Sequence, residues 1–486
     1  MFLVLTVLLL VSCRQKIELT VIKAKENPWP DNYTHISEMK HYAEWGTYNI
    51  HDPYIINTDE YYYMYSTDAI FREKRRVAAE NNIHIGNIQV RRSKDLVNWE
   101  FLGWAFPEIP SEAVEWVHKN NDNKGATNIW APCIIKHKDV YRLYYSVSAF
   151  GKKISYIGLA ESSSPEGPWV QKGCVVKTNK STPMNAIDPS VIEDAETGRM
   201  WMHYGSYFGG LYAVELNPKD GLPLASDDQG HLIARRANYA VENLEAPEII
   251  YHPELKKYFL FVSYGDLMDN YNIRVGRSDT PEGPFYDYFG NDMKDTTNNY
   301  PVIQAPYKFD NHQGWVGTAH CGAVRSSEGE YFMANQGRLS QNRGLMVLHL
   351  REVFFTKDGW PVVSPERYAG TTKVIVDEKD IPGSWEVIHV AEQPDERGGV
   401  ELWSDKLNTV GWNHSFLMQL NQNGKSDIAE EWSFSKKDQI LTLNINGITI
   451  TNLYVFRGHD WENSSETLLF TGLDSDGRTV WGKKRG

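Results

Sequence analysis

One short phrase recurs five times in this chain, and an aromatic run follows each copy. The copies are His51-Asp52-Pro53-Tyr54-Ile55-Ile56, Trp130-Ala131-Pro132-Cys133-Ile134-Ile135, Ile187-Asp188-Pro189-Ser190-Val191-Ile192, Glu245-Ala246-Pro247-Glu248-Ile249-Ile250 and His320-Cys321-Gly322-Ala323-Val324. The runs include Tyr61-Tyr62-Tyr63, Tyr144-Tyr145, Trp201 to Tyr204, Tyr258-Phe259 and Tyr331-Phe332. Repeats at such spacing mark one supersecondary unit copied around an array. At the head of the copies stand Asp52, Trp130, Asp188, Glu245 and His320.

Each phrase opens an apolar run, passes a polar turn such as Asn57 to Glu60, and enters an aromatic run ending in Ser66-Thr67, a hairpin signature. Third strands are expected at Ile88–Arg92, Ile157–Ala160, Leu211–Val214, Ile273–Gly276 and Leu345–Leu348, each followed by a turn and a fourth strand. Four strands in five units predict an all-β fold, a five-bladed β-propeller over residues 45–370. In a propeller the first strand of each blade lies nearest the axis, so the five heads converge at one mouth of the channel. The Pro close behind the head removes a ladder donor, as a strand entrance allows. From Thr371 the phrase stops, yet Trp385–Ile388, Val400–Trp403, Phe416–Leu420, Ile440–Leu443 and Ile448–Ile450 still alternate like strands. Residues 371–486 are therefore read as a small accessory β-sandwich or barrel.

The formal charge of −13 argues against nucleic acid as a partner, because phosphates demand clustered Lys and Arg. Residues 1–13, MFLVLTVLLLVSC, are apolar but shorter than the roughly 20 residues of a spanning helix, and they read as an export signal. Leu10-Val11-Ser12-Cys13 resembles a bacterial lipobox, which predicts lipidation of Cys13, a tether over residues 14–44 and a location in the cell envelope. Cys133, Cys174 and Cys321 form no CxxC pair, so a structural zinc site is not expected. With three thiols left, at least one stays free.

Asp52, Asp188 and Glu245 place three carboxylates on three blade heads. A single Asp-Pro is ordinarily a strand-entry cap, but like charges crowded on one axis cost energy and call for a use. Glycoside hydrolysis supplies one: one carboxylic acid protonates the leaving oxygen while another carboxylate activates water. Crowding also separates pKa values, keeping one group protonated at neutral pH.

His51-Asp52-Pro53, Trp130-Ala131-Pro132, Asn185-Ala186-Ile187-Asp188-Pro189-Ser190 and Glu245-Ala246-Pro247, in that order, resemble glycoside hydrolase family 43, in particular its arabinanases. The closing stretch Leu469–Leu473 through Trp481–Lys484 is similar to the end of the arabinanase accessory domain. The resemblance implies inversion, with Asp52 as general base, Glu245 as general acid and Asp188 orienting the acid and tuning its pKa. It implies that His320 holds calcium or a similar ion in the channel, coordinated mostly by water. Trp130 and Phe150 are expected to stack on sugar rings, Asn185 and Ser206 to hydrogen-bond hydroxyls, and Arg338 to reach the channel. Two departures bear on subsites: Cys133 stands where the family usually shows Asp, and Glu248 where an apolar or aromatic residue is common.

The implied activity is endo-hydrolysis of α-1,5-L-arabinan, for which Glu-Ala-Pro speaks over the Glu-Gly-Pro of the xylosidase branch. An exo-acting α-L-arabinofuranosidase or β-xylosidase of the same family is the alternative. An invertase-like propeller would show Asn-Asp-Pro-Asn, Arg-Asp-Pro and Glu-Cys-Pro, and a sialidase an arginine triad; neither pattern is found. A glycan-binding propeller without activity would have lost one of the three carboxylates.

Overall fold

The computed structural model describes residues 46–69, 87–238, 242–371, 373–390, 413–427, 429–445 and 448–486. The export signal, Cys13, the tether and the strand expected at Val400–Trp403 lie outside the described residues. The fold is a β-propeller followed by a C-terminal β domain. Four repeats form separate four-stranded antiparallel sheets in chain order. The first holds β1 (His51–Asn57), β2 (Tyr62–Thr67), β3 (Asn87–Ser93) and β4 (Glu100–Phe106). The second holds β5 (Trp130–His137), β6 (Val140–Ser148), β7 (Ser155–Ser162) and β8 (Val170–Thr178). The third holds β9 (Ser190–Glu193), β10 (Met200–Tyr204), β11 (Leu211–Leu216) and β12 (His231–Ala234). The fourth holds β13 (Leu244–His252), β14 (Lys257–Tyr264), β15 (Asn272–Ser278) and β16 (Val302–Gln304).

The last repeat is part of a seven-stranded sheet. Two short strands, β17 (Tyr307–Lys308) and β18 (Trp315–Val316), precede β19 (Gly322–Arg325), β20 (Tyr331–Leu339), β21 (Asn342–Phe355) and β22 (Pro361–Val363). Here β19 pairs with β20, β20 with β21 and β21 with β22, as in the other repeats, while β18 also pairs with the far end of β20. The chain just before β1 lies on β21: Asn49 N–H donates to Met346 O at 2.7 Å and Leu348 N–H to Thr47 O at 2.8 Å. First and last repeats are thus joined by backbone hydrogen bonds. At Gly322 a Cβ would stand 2.5 Å from Pro53 O, so only glycine lets the last inner strand pack against the first. One feature departs from the all-β expectation: α1 (Ser111–Asn120), between β4 and β5, buries Ala113 and Val117, spaced i, i+4 on one face.

The phrase itself has a common backbone. Asp52, Ala131, Asp188, Ala246 and His320 all take the left-handed conformation, with φ of 49°, 41°, 58°, 55° and 56°. Four of them precede proline, which disfavours the right-handed helical region. The strand register slips there, between His51 and Tyr54, Trp130 and Cys133, and Glu245 and Glu248. The left-handed turn aims the N–H of each phrase at the preceding repeat. Ala131 N–H donates to Thr67 Oγ1 (2.8 Å), Asp188 N–H to Ser146 Oγ (3.2 Å) and His320 N–H to Ser263 Oγ (2.9 Å). Asp52 N–H closes the circle on Gln336 Oε1 (2.8 Å) in β20.

β23 (Gly383–His389), β25 (Phe416–Leu420), β26 (Ala429–Ser435), β27 (Ile440–Ile445), β28 (Ile448–Asp460), β29 (Ser465–Leu473) and β30 (Thr479–Lys484) form one antiparallel sheet, in the order β25-β23-β30-β29-β28-β27-β26. Alternate residues of all seven strands meet in one core, among them Trp385, Met418, Trp432, Leu441, Leu453, Phe470 and Val480, so the sheet curls around its own face. A further short strand, β24 (Asn413–His414), pairs in parallel with β17. The outer side of β30 docks on the propeller: Trp481 Nε1–H donates to Val363 O at 3.0 Å, and Thr479 Oγ1 to Val302 O at 3.0 Å.

Beside this joint, Lys483 Nζ lies 2.8 Å from Glu366, 2.9 Å from Asp460 and 2.6 Å from Glu462, all buried. Burial would strip the proton from Lys483, but the charges of Glu366, Glu462 and Asp460 hold its pKa above the usual lysine range. Removing the cation leaves three buried carboxylates facing one another. Lys483→Met is therefore expected to cost about 3–5 kcal/mol, measured by urea unfolding; wild-type stability in that variant would mean the cluster is effectively solvated.

Candidate active site

The ring of entrances brings four predicted residues together. Asp52 lies at the centre of the set, buried, with Oδ1 2.7 Å from His51 Nδ1 and 2.9 Å from His320 Nδ1. Its Oδ2 accepts a hydrogen bond from Thr67 Oγ1 at 2.8 Å. Burial would raise its pKa, yet His320 and His51 hold the carboxyl well below the usual range. Asp52 is therefore ionised throughout the neutral range. His320 is the converse: burial lowers it, but Asp52, Asp188 and Glu245 bring it up to about 9. One imidazole thus answers three carboxylates.

Asp188 accepts the Ala246 N–H on Oδ2 at 3.2 Å. This bond completes the ring of N–H donors, and a glycine explains why a carboxylate makes it. Thr67, Ser146 and Ser263 pair with the first residues of their own phrases, His51, Trp130 and Glu245. In the third repeat Gly205 occupies that place, its N–H bonded to Ile187 O at 2.9 Å. Gly205 has φ +133°, and a Cβ there would meet Gly210 O at 2.6 Å, so no hydroxyl residue fits. Asp188 supplies the missing acceptor and thereby fixes the residue next to Glu245. Burial, with the charges of Glu245 and Asp52 added and His320 opposing, pushes Asp188 well above the usual carboxylate range. The crowding thus drives the two aspartates apart, Asp52 down and Asp188 up.

Glu245 is oriented by two hydroxyls. Tyr271 Oη donates to Oε1 at 2.6 Å and Ser206 Oγ donates to Oε2 at 2.7 Å. Ser206, read from sequence as a contact to sugar, therefore lies directly against Glu245. Tyr271 was not singled out from the sequence, because it follows the turn between β14 and β15, where no phrase recurs. Gln336 in β20 and Thr67 in β2 act on Asp52 from neighbouring strands, which the phrase does not encode.

The remaining candidates divide. Trp130 stands at the entrance of β5, its Nε1–H donating to Asn128 Oδ1 at 2.7 Å, and its ring meets Phe150 edge-on at 6.3 Å between centroids. Phe150 is 64% exposed, so this pair presents aromatic surface to solvent. Asn185 is buried, its carbonyl accepting from Ser155 Oγ at 2.6 Å. Arg338 is fully buried in β20, its Nη1–H donating to Arg343 O at 2.5 Å.

Among the described residues, the one cluster with metal-ligand spacing is Glu366, Asp460 and Glu462, and Lys483 fills it. Around His320 the donors are one imidazole and the facing carboxylates rather than an oxygen cage. Such a set would fit a cation that keeps most of its water once His320 gives up its proton, since metal binding displaces protons from its ligands. Cys133, Cys174 and Cys321 are free thiols, and Cys133 and Cys321 are buried.

The model for glycosyl hydrolases family 43 matches residues 46–361, and that of a C-terminal lipocalin-like domain matches residues 365–482. The chain belongs to glycosyl hydrolase family 43. It is 30% identical over 482 residues to an extracellular endo-α-(1→5)-L-arabinanase of Thermotoga petrophila, a match covering 89% of this chain and 93% of that protein. The crystal structure of endo-1,5-α-L-arabinanase from the same organism superposes with a TM-score of 0.75 at 26% identity, covering 91% of this chain and 99% of the other. An extracellular exo-α-(1→5)-L-arabinofuranosidase of Cellvibrio japonicus is 29% identical, over 65% of this chain and 86% of its own length.

Tyr271→Phe removes one of the two hydroxyls that orient Glu245. Turnover is expected to fall about 3- to 10-fold, the scale of one hydrogen bond, with the fold intact by circular dichroism. Unchanged turnover would mean that Ser206 alone suffices.

Proposed function

We propose that this glycoside hydrolase is an exported, inverting endo-α-1,5-L-arabinanase on a five-bladed propeller, with β19–β22 as the fifth blade. The observation that carries the reading is three carboxylates converging on one imidazole, with Asp52 held well below the usual carboxylate range and Asp188, beside Glu245, driven above it. Glu245 gives its proton to the glycosidic oxygen as the bond to the anomeric carbon breaks. Asp52 takes a proton from the water that attacks the opposite face, and the product carries inverted configuration. Asp188 holds the backbone beside Glu245 and keeps the acid in register. Trp130 and Phe150 offer the furanose rings a stacking surface, and arabinan or its oligosaccharides are the substrate.

Endo action is supported by a match to the Thermotoga enzyme that includes the C-terminal domain. The exo-acting relative matches the smaller share and keeps a second reading, an α-L-arabinofuranosidase, in view. Export agrees with the extracellular relatives and with residues 1–13, and Cys13 is the proposed lipid attachment point. A calcium ion held at His320 through water would add positive charge to a site with three carboxylates.

Linear α-1,5-arabinan should give a ladder of intermediate oligosaccharides early in digestion, followed by chromatography. Arabinose alone from the first minutes would make the enzyme exo-acting. Glu245→Gln should lower turnover by about 10²–10⁴-fold while arabino-oligosaccharide binding survives; undiminished hydrolysis would remove Glu245 from the role of acid. Exhaustive chelation should lower turnover, with recovery on added calcium. Equal activity before and after would remove the ion.

A further inference from the structure

Beneath the layer of Asp52, Asp188, Glu245 and His320 lies a second buried polar layer that the mechanism above does not use. Glu248, three residues beyond Glu245 on β13, is 1% exposed. Its Oε2 accepts from Ser190 Oγ at 2.7 Å, and its Oε1 accepts the Ala323 N–H at 2.9 Å. Ser190 Oγ in turn accepts the Ile249 N–H at 3.2 Å. Ser190 opens β9 two residues after Asp188, and Ala323 lies on β19 three residues after His320. One side chain therefore ties together the three inner strands that carry Asp188, Glu245 and His320.

In the same layer the Tyr54 hydroxyl meets Cys133 and Ser190 and so joins the first repeat to the second and third, while the link onward to the fourth and last repeats is made by Glu248. The corresponding residues are Tyr54, Cys133, Ser190 and Gly322. Gly322 has no side chain because Pro53 leaves no room for one. Cys133 is a buried thiol, a weak hydrogen-bonding group. Burial drives the Glu248 carboxyl up to about 8, against the donors Ala323 and Ser190, so it is largely neutral near pH 7 and its burial is less costly. Such a group is poorly suited to stabilise a fold by charge, and well suited to set distances between strands.

We propose that Glu248 is a positioning residue for hydrolysis, fixing the spacing of the strands that present Asp188, Glu245 and His320. The inference rests on the reading of those residues as the catalytic set. Truncation should loosen that set without touching the sugar-stacking surface, so turnover should suffer and substrate affinity should not.

The test uses the full chain with linear α-1,5-arabinan and a crystal structure of each variant. Glu248→Ala is expected to lower kcat about 10- to 100-fold, the scale of a misplacement near 1 Å, with KM within about twofold. Glu248→Gln keeps an acceptor for Ala323 and a partner for Ser190, and should restore kcat to within about threefold of wild type. Ser190→Ala, a smaller change, should lower kcat with the fold intact and serves where Glu248→Ala does not fold. Wild-type kcat in Glu248→Ala or in Ser190→Ala overturns the proposal, as does a Gln variant no better than the Ala variant. The crystal structures decide independently of substrate: the Glu245 carboxyl should move by more than about 0.5 Å in Glu248→Ala, and an unmoved set overturns the proposal. No turnover of arabinan by the wild type would count against the substrate reading instead, leaving the structural test of Glu248 in place.

Discussion

The structure depends on a ring of hydrogen bonds from the backbone of each inner-strand entrance to the repeat before it. The residue that donates is left-handed in all five copies of the phrase. For Ala131 and Ala246 that conformation costs on the order of 1–3 kcal/mol each, about as much as one buried hydrogen bond returns. The arrangement is thus close to neutral for stability. Its effect is directional: the turn points one side chain of each entrance at the axis and one N–H at the neighbour. Asp52 and His320 owe their contact to this geometry.

The same ring explains why the three acids behave differently in one small space. Asp52 faces two imidazoles and a hydroxyl, so its charge is met on both oxygens. Asp188 faces a backbone N–H and the field of two other carboxylates, and its pKa is driven up. The difference follows from what surrounds each acid: the first phrase adjoins Gln336 and the loop of His320, while the third lies in a sheet whose second strand runs on into Gly205 and offers no hydroxyl. Acid and base are set apart by what neighbouring strands supply, with little help from the acids themselves.

Much of this was legible in the sequence because the phrase repeats. Strand order, the third strands at β3, β7, β11, β15 and β21, and the convergence of Asp52, Asp188, Glu245 and His320 all follow from one periodic signal. The heads, however, are not equivalent. Asp52, Asp188 and His320 occupy the left-handed position, whereas Trp130 and Glu245 stand one residue earlier, with Ala131 and Ala246 in that place. A shift of one residue at a strand entrance changes which way a side chain points, and the alignment of short phrases does not resolve it. Tyr271, Thr67 and Gln336 were illegible because they act across strands, through contacts that no local pattern encodes. The helix α1 escaped notice because two apolar residues, Ala113 and Val117, carry its whole buried face.

Closure is the weak point of any circular array, and here backbone contacts between the first and last repeats make it. The last inner strand touches the first at Gly322, and residues 47–49 are hydrogen-bonded to β21. The C-terminal domain packs on the next junction: Thr479 and Trp481 reach Val302 and Val363, Trp481 meets Tyr307 edge-on, and Lys483 binds Glu366. These contacts fall on the fourth and last repeats, which carry Glu245 and His320. These contacts hold the last repeat against the fourth, and so the strand entrance of His320 against the strand that carries Glu245. The C-terminal sheet thus meets the outer strands of the two repeats that carry Glu245 and His320, while Trp130 and Phe150 stand on the second repeat, away from those contacts.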